Sequence, residues 1–364
     1  MPPDVATLVA LLSAPDTAEH LDEAAWSRVI AVARNANLLG KLAARLDAAN
    51  RLPPGNPSRH LVGALMLSRR QRQSVTWEAV QIDDALADLN IPVVLLKGAA
   101  YAMARHASAD GRLFGDIDIL VPRASLDQVE MHLMVSGWTA IKQDAYDQRY
   151  YRQWMHEIPP MMHVRRGTVI DVHHTILPLT ARYRPNPERI FDAAIPLPGY
   201  RCMMTPSPED LIVHSCCHLV HEGEVDNALR DMHDIACLLE SNTGSGDFLH
   251  RLAAAASDHD LSEPVALALR LVNRFFPDAC TMEQLEPFGA KRWERAHNAL
   301  LRRYMRAIHP SSEGSIPLGT AIARQLVYVR AHRLRMPMGM LTRHLARKAW
   351  MHLTESPKTD ARME

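Results

Sequence analysis

Between Ile91 and about Pro198 the sequence changes its period, and that change limits what the chain can fold into. Ahead of this block, apolar residues recur at helical spacing in "AAWSRVIAVARNANLLGKLAARLDAAN" and "LVGALMLSRRQRQSVTWEAVQIDDALADLN". Inside it, short β-branched runs appear, "IPVVLL", "DIDILV" and "TVIDVHHTI", with helical stretches between them. The expected class is therefore α+β: a helical N-terminal region over 1–90, a mixed-sheet domain over 91–200, a helical domain over 201–308 and a basic helical region over 319–354. "RLPPGNPS" reads as a loop and "HPSSEGSIPLG" as a linker. "PRASLDQVEMHLMVSGW" reads as a helix ended by Gly137, and "IPPMMHVRRGTVIDVHHTIL" as a hairpin turning at Arg165, Arg166 and Gly167. "SPED" opens a further helix, with Ser207 as cap and Pro208 in the first turn.

Chemistry concentrates in the mixed block; over 1–90 no residue stands out. Side chains alternate along a strand, so Asp116 and Asp118 share one face while Ile117 and Ile119 take the other. Two neighbouring carboxylates repel each other, a cost that a divalent cation between them removes. In "TVIDVHHTI" the same alternation turns Ile170 and Val172 inward and Asp171 and His173 outward, so an adjacent strand brings Asp171 to the same metals. Three carboxylates in this arrangement suit two-metal phosphoryl chemistry, and Asp171 is also a candidate base for the acceptor's proton. Upstream, Lys97-Gly98 ends a strand and opens a helix. Gly98 permits close backbone approach to phosphate oxygens, and Lys97 and Arg112 supply positive charge. His173 is a candidate to contact a phosphate or orient Asp171. The plain alternatives are a solvated edge strand for the two aspartates, surface positions for Lys97 and Arg112, and a strand histidine bonded to a neighbour for His173.

Lys97-Gly98, Tyr101, Arg112 ahead of "DIDILV", and the later "IDVHHTI" resemble a mostly uncharacterised nucleotidyltransferase family within the polymerase-β-like superfamily. "PEDLIVHSCCHLVHE" and "LRDMHDIACLL" are similar to that family's helical part, so the resemblance covers about residues 90–240. It implies a nucleotide-binding mixed sheet, Mg²⁺ or Mn²⁺ held by Asp116, Asp118 and Asp171, and an NTP, ATP first, as donor of a nucleoside monophosphate. The superfamily's usual Gly-Ser pair is Gly98-Ala99 here, which removes a hydroxyl that commonly touches the phosphates, and the gap from Gly98 to Asp116 is longer than usual.

Other classes stay open. One is a catalytically inactive nucleotide-binding or scaffold protein of the same fold. Another is a His-Asp metal phosphohydrolase, because His214, His218 and His221 fall on one helical face and His233-Asp234 follow. His218, Arg230 and Asp231 are also candidates to reach the cleft and position a nucleotide or acceptor. The acceptor is open among a small molecule, a protein side chain and an RNA end. Forty-one basic residues balance forty-one acidic ones, so no global field draws the chain to nucleic acid or acidic lipid. Locally, Thr320 to Trp350 holds Arg324, Arg330, Arg333, Arg335, Arg343, Arg347 and Lys348 without an acidic residue, which suits an acidic partner or pairing within the fold. Five cysteines without a C-x-x-C pair argue against a disulfide framework and a cysteine zinc site. With no signal peptide and no membrane span in the sequence, the expected location is the cytoplasm.

Overall fold

The computed structural model describes residues 1–141, 145–242, 246–289, 294–308, 316–337 and 339. Helices open the chain: α1 (Pro3–Ser13), α2 (Glu23–Asn35), α3 (Leu39–Ala48) and α4 (Asn56–Leu86). α2 starts where the Asp22 carboxylate accepts a 2.7 Å bond from the Ala25 amide, and it buries Trp26, Val29, Ile30 and Ala33 at helical spacing. Gly55, at φ 76°, turns the chain into α4, and Pro57 lies in its first turn, so the loop expected over "RLPPGNPS" ends at Gly55 and its last three residues already open the helix.

The sheet follows, with strands β1 (Val93–Leu95), β2 (Ile117–Leu120), β3 (Trp138–Ala140), β4 (Met161–His163), β5 (Val169–His173), β6 (Ile195–Pro196) and β7 (Met203–Thr205). Their spatial order is β3-β4-β5-β2-β1-β7-β6. Directions are mixed: β2 runs antiparallel to β1 and parallel to β5, and β7 runs parallel to β1. Between strands lie α5 (Lys97–Met103), α6 (Leu126–Val135), α7 (Ala145–Trp154) and α8 (Pro187–Ala193). Gly137, at φ 99°, follows α6 as the expected helix stop, and β4 and β5 form the expected hairpin with Gly167 at φ 69° in its turn.

β2 sits between β5 and β1, and every one of its residues is buried. A strand so placed has no solvated edge, which removes the edge-strand explanation for the aspartates. The strand begins only at Ile117, however, so Asp116 belongs to the end of the preceding loop and is exposed, while Asp118 lies within the strand and is buried.

The second helical half comprises α9 (Pro208–His221), α10 (Ala228–Asn242), α11 (Phe248–Asp258), α12 (Ser262–Phe275), α13 (Glu294–Ala307) and α14 (Leu318–Arg335). Ser207 caps α9 by accepting from the Asp210 amide at 3.1 Å, with Pro208 in the first turn. α10, α11 and α12 pack around α9, which explains why α9 is buried on nearly every side, its polar residues Asp210, His214, Ser215 and His221 included. One buried apolar cluster runs from Val5 in α1 through the sheet to Leu334 in α14. In the basic C-terminal region, Arg324 pairs with Asp226 at 3.0 Å and Arg335 donates to the His221 carbonyl at 2.7 Å, so these cations are used within the fold. Arg343, Arg347, Lys348 and residues 309–315 lie outside the described residues. No helix among the described residues is long and apolar enough to cross a membrane.

Candidate metal and nucleotide site

Parallel pairing of β2 with β5 sets Asp118 opposite Asp171. With Asp116 from the loop before β2, one carboxylate oxygen of each lies within 4.8 Å of the others. Side chains far apart in sequence thus meet where the alternation of the two strands places them.

The three carboxylates have different surroundings. Asp118 is 3% exposed, and its Oδ1 accepts from Lys97 Nζ at 2.7 Å and from His173 Nε2 at 2.9 Å. Burial alone would raise the Asp118 carboxyl pKa; Lys97 and His173 outweigh it and hold the group well below the usual carboxylate range. Asp171 moves the other way: burial, then the negative charges of Glu157, Asp118 and Asp116, push it up to about 8. Its Oδ1 is buried without a hydrogen-bond partner. A crowded carboxylate group with an orphaned oxygen is the electrostatic profile of a cation site.

Cationic groups border this cluster. Lys97 has φ 46°, a left-handed conformation uncommon outside glycine, and it opens α5 with its ammonium on Asp118. Burial would lower the Lys97 pKa, but Asp118, Asp116 and Glu157 outweigh it and the net direction is upward. At Gly98 a Cβ would stand 3.0 Å from Arg112 Nε and 3.2 Å from the Phe114 ring, so glycine lets these two side chains close over the start of α5. Arg112 is ion-paired with Asp234, lies 4.0 Å from Asp231, and sits over the Tyr101 ring at 5.5 Å. Burial, reinforced by Arg230, lowers its pKa to about 10. His173 bonds Asp118 rather than orienting Asp171.

These groups line a cleft of about 480 Å³ whose opposite wall carries His214, His218, Glu222, Arg230 and Asp231. His218, Arg230 and Asp231 therefore reach the cleft, with Arg230 paired to Asp231 at 2.7 Å. The histidine stripe on α9 divides: His214 and His218 face the cleft, while His221 Nδ1 lies 2.8 Å from the Cys217 carbonyl. His233 packs edge-on against Phe276 with ring centroids 5.4 Å apart, and Asp234 is taken by Arg112. Neither joins a metal-capable group among the described residues, so the His-Asp phosphohydrolase arrangement is not assembled there.

Two features escape the sequence reading. Lys41 of α3 is 1% exposed; its ammonium lies 2.7 Å from Asp234 and donates to the Ser108 carbonyl at 2.7 Å. The N-terminal helices thus carry an amine into the wall of the site, its pKa lowered by burial to about 7, contrary to the expectation that 1–90 is chemically silent. A lysine amid the buried arc Gly40, Leu42, Ala43 and Leu46 is the signal that helical periodicity alone conceals. The other feature is His156-Glu157 in "HEIPP", whose chain pairs with His173 through an isolated bridge.

Residues 22–277 match a family described as an uncharacterised nucleotidyltransferase, and the chain belongs to that family. The matched span takes in the sheet, Lys41 and the cleft residues other than Arg335. No curated protein matches the chain.

Proposed function

We propose that this protein transfers a nucleoside monophosphate from an NTP, ATP first, to an acceptor and releases pyrophosphate. The observation that carries the reading is Asp118 opposed to Asp171 across β2 and β5, with Asp116 in ligand range, on one wall of a cleft bordered by Lys97 and Arg112. Asp116, Asp118 and Asp171 would hold Mg²⁺ or Mn²⁺; an all-oxygen donor set suits hard cations, and the orphaned Asp171 Oδ1 fits one. When bound, such ions neutralise triphosphate charge and lower the pKa of an attacking oxygen.

The chain's own residues supply the remainder. Lys97 keeps Asp118 ionised and adds positive charge beside the triphosphate, and Arg112, fixed by Asp234, offers a second positive charge at the cleft wall. Gly98 leaves room for Arg112 and Phe114 to close over the start of α5, which keeps the Arg112 charge at the cleft. Asp171 takes the proton of the acceptor hydroxyl as its oxygen attacks. The new bond forms between that oxygen and the α-phosphorus; the bond from the α-phosphorus to its bridging oxygen breaks, and pyrophosphate leaves with the electron pair. Residues 201–308 close the cleft through His214, His218 and Arg230. A small molecule, a protein side chain or an RNA end would serve as acceptor, in the cytoplasm.

A second reading, nucleotide binding without turnover, is favoured by one observation: Lys97 and Arg112 are already engaged by Asp118 and Asp234, and Ala99 offers no hydroxyl. Incubation with α-labelled NTPs, Mn²⁺ and a mixed acceptor pool separates the two. Label transfer with stoichiometric pyrophosphate, lost in Asp116→Asn/Asp118→Asn, supports transfer; metal-dependent binding without pyrophosphate supports the second reading.

A further inference from the structure

Beside the three aspartates lies a group of different donor chemistry that the transfer reaction leaves unused. His156, Glu157 and His173 each present one ligand atom within 4.8 Å of the others. We propose that these residues bind a divalent transition-metal ion of the Zn²⁺ or Mn²⁺ class, through donors distinct from the three aspartates they adjoin.

The backbone fixes the donors before any ion arrives. Glu157 bridges to His173, the Ile158 amide donates to the Val172 carbonyl at 3.0 Å, and the His174 amide donates to the His156 carbonyl at 2.8 Å. His156 and Glu157 are therefore stitched to the edge of β5 rather than carried on a free loop. Their rings confirm the proximity: His156 and His173 have centroids 5.0 Å apart.

Contacts to Glu157 show which atoms face one another. His173 Nε2 lies 3.5 Å from Glu157 Oε2 and His156 Nε2 lies 4.0 Å from the same oxygen, so two imidazole nitrogens and a carboxylate oxygen converge. His173 Nε2 also lies 2.9 Å from Asp118 Oδ1, and an ion held by that nitrogen would replace the proton the two groups share. The Nδ1 atoms of both rings are buried without a hydrogen-bond partner. Glu157 is mostly buried, its nearest ion-pair contacts among the described residues being His173 at 3.5 Å and His156 at 4.0 Å, with no Lys or Arg. Two imidazoles and a carboxylate favour Zn²⁺, Mn²⁺ or Fe²⁺ over Mg²⁺, whereas the aspartates favour the reverse.

The test uses the full-length protein, stripped with chelator and saturated with Mg²⁺, then titrated with Zn²⁺ and Mn²⁺ by calorimetry and equilibrium dialysis. One tightly bound equivalent is expected in the wild type and in Asp116→Asn/Asp171→Asn, with affinity at least ~10-fold weaker in His156→Ala and in Glu157→Gln. Unchanged affinity in those two variants overturns the proposal, as does loss of the equivalent in Asp116→Asn/Asp171→Asn, which would assign the ion to the aspartates. Should the histidine variant fail to fold, X-ray absorption of the Zn²⁺-loaded wild type decides: two imidazoles in the coordination shell support the site, and an oxygen-only shell refutes it. None of these outcomes depends on nucleotide turnover.

Discussion

Two charge clusters meet at the same cleft, and they are built on opposite terms. At the sheet, Asp116, Asp118, Asp171 and Glu157 outnumber the single ammonium of Lys97, and Asp171 Oδ1 has no partner. At the helical side, Lys41, Arg112 and Arg230 meet Asp231 and Asp234 in a chain of contacts that uses each charge. The first cluster holds uncompensated negative charge that the proposed ions would relieve; the second is paired within the protein itself. Net negative charge rather than an unbonded oxygen separates the two, since Asp234 Oδ1 also lacks a hydrogen bond although Lys41 Nζ lies 2.7 Å from it.

The comparison breaks most visibly at Lys41. Lys41→Met leaves Asp234 with only Arg112 and a buried Ser108 carbonyl without its donor, so it should cost about 3–5 kcal/mol in urea unfolding. Adding Asp234→Leu should recover little, because it strands Arg112 in turn. At the sheet the expectation reverses: Asp116→Asn/Asp171→Asn should reduce metal-dependent transfer by at least ~100-fold while leaving metal-free stability equal or higher, since it removes repulsion. A variant that lost both activity and stability would show the carboxylates to be scaffold too.

Gly40 sharpens the account of the helical side. A Cβ on Gly40 would overlap the backbone of Gly111, itself at φ 69°, where α3 meets the loop that leads to Arg112 and Asp116. Gly40→Ala should destabilise by about 1–3 kcal/mol and weaken NTP binding through displaced Arg112. Unaltered NTP affinity in a folded Gly40→Ala protein would separate α3 from the site.

Smallest is a pH effect on the metal-free protein. The folded pKa of Asp171, about 8, stands above its unfolded value near ~3.9, so the folded state binds the extra proton between them. Stability from this group is full below about pH 4 and is lost as pH rises towards about 8. His214 and His233, pushed well below the usual histidine range by burial, act oppositely: the unfolded chain takes their protons, and stability falls as pH drops below ~6.5. Chelator-treated wild type compared with Asp171→Asn across pH 5–8 isolates the first slope, which Mg²⁺ should abolish.

Much of this was legible in the residues. Alternation in "DIDILV" and "TVIDVHHTI" pointed to Asp118 and Asp171 on facing strands, because period-two patterns carry side-chain direction directly. Asp116 was harder, since a loop rather than a strand delivers it. Arg112 was read as a phosphate contact, but its strongest partner, Asp234, lies more than a hundred residues away on α10. Lys41 was invisible for the same reason: helical spacing shows that a face is buried, not which distant carboxylate meets a lysine on it. Glu157 and His173 are joined by one isolated bridge, too short to leave a period in the sequence.

The most direct test of the central claim, that the sheet cluster is a metal and nucleotide site, is calorimetric titration of the four NTPs into wild type and Asp116→Asn/Asp171→Asn, with and without Mg²⁺. The account predicts binding by the wild type that requires the ion and is at least ~10-fold weaker in the variant, with both proteins folded. Equal binding by the two, or binding indifferent to Mg²⁺, would contradict it.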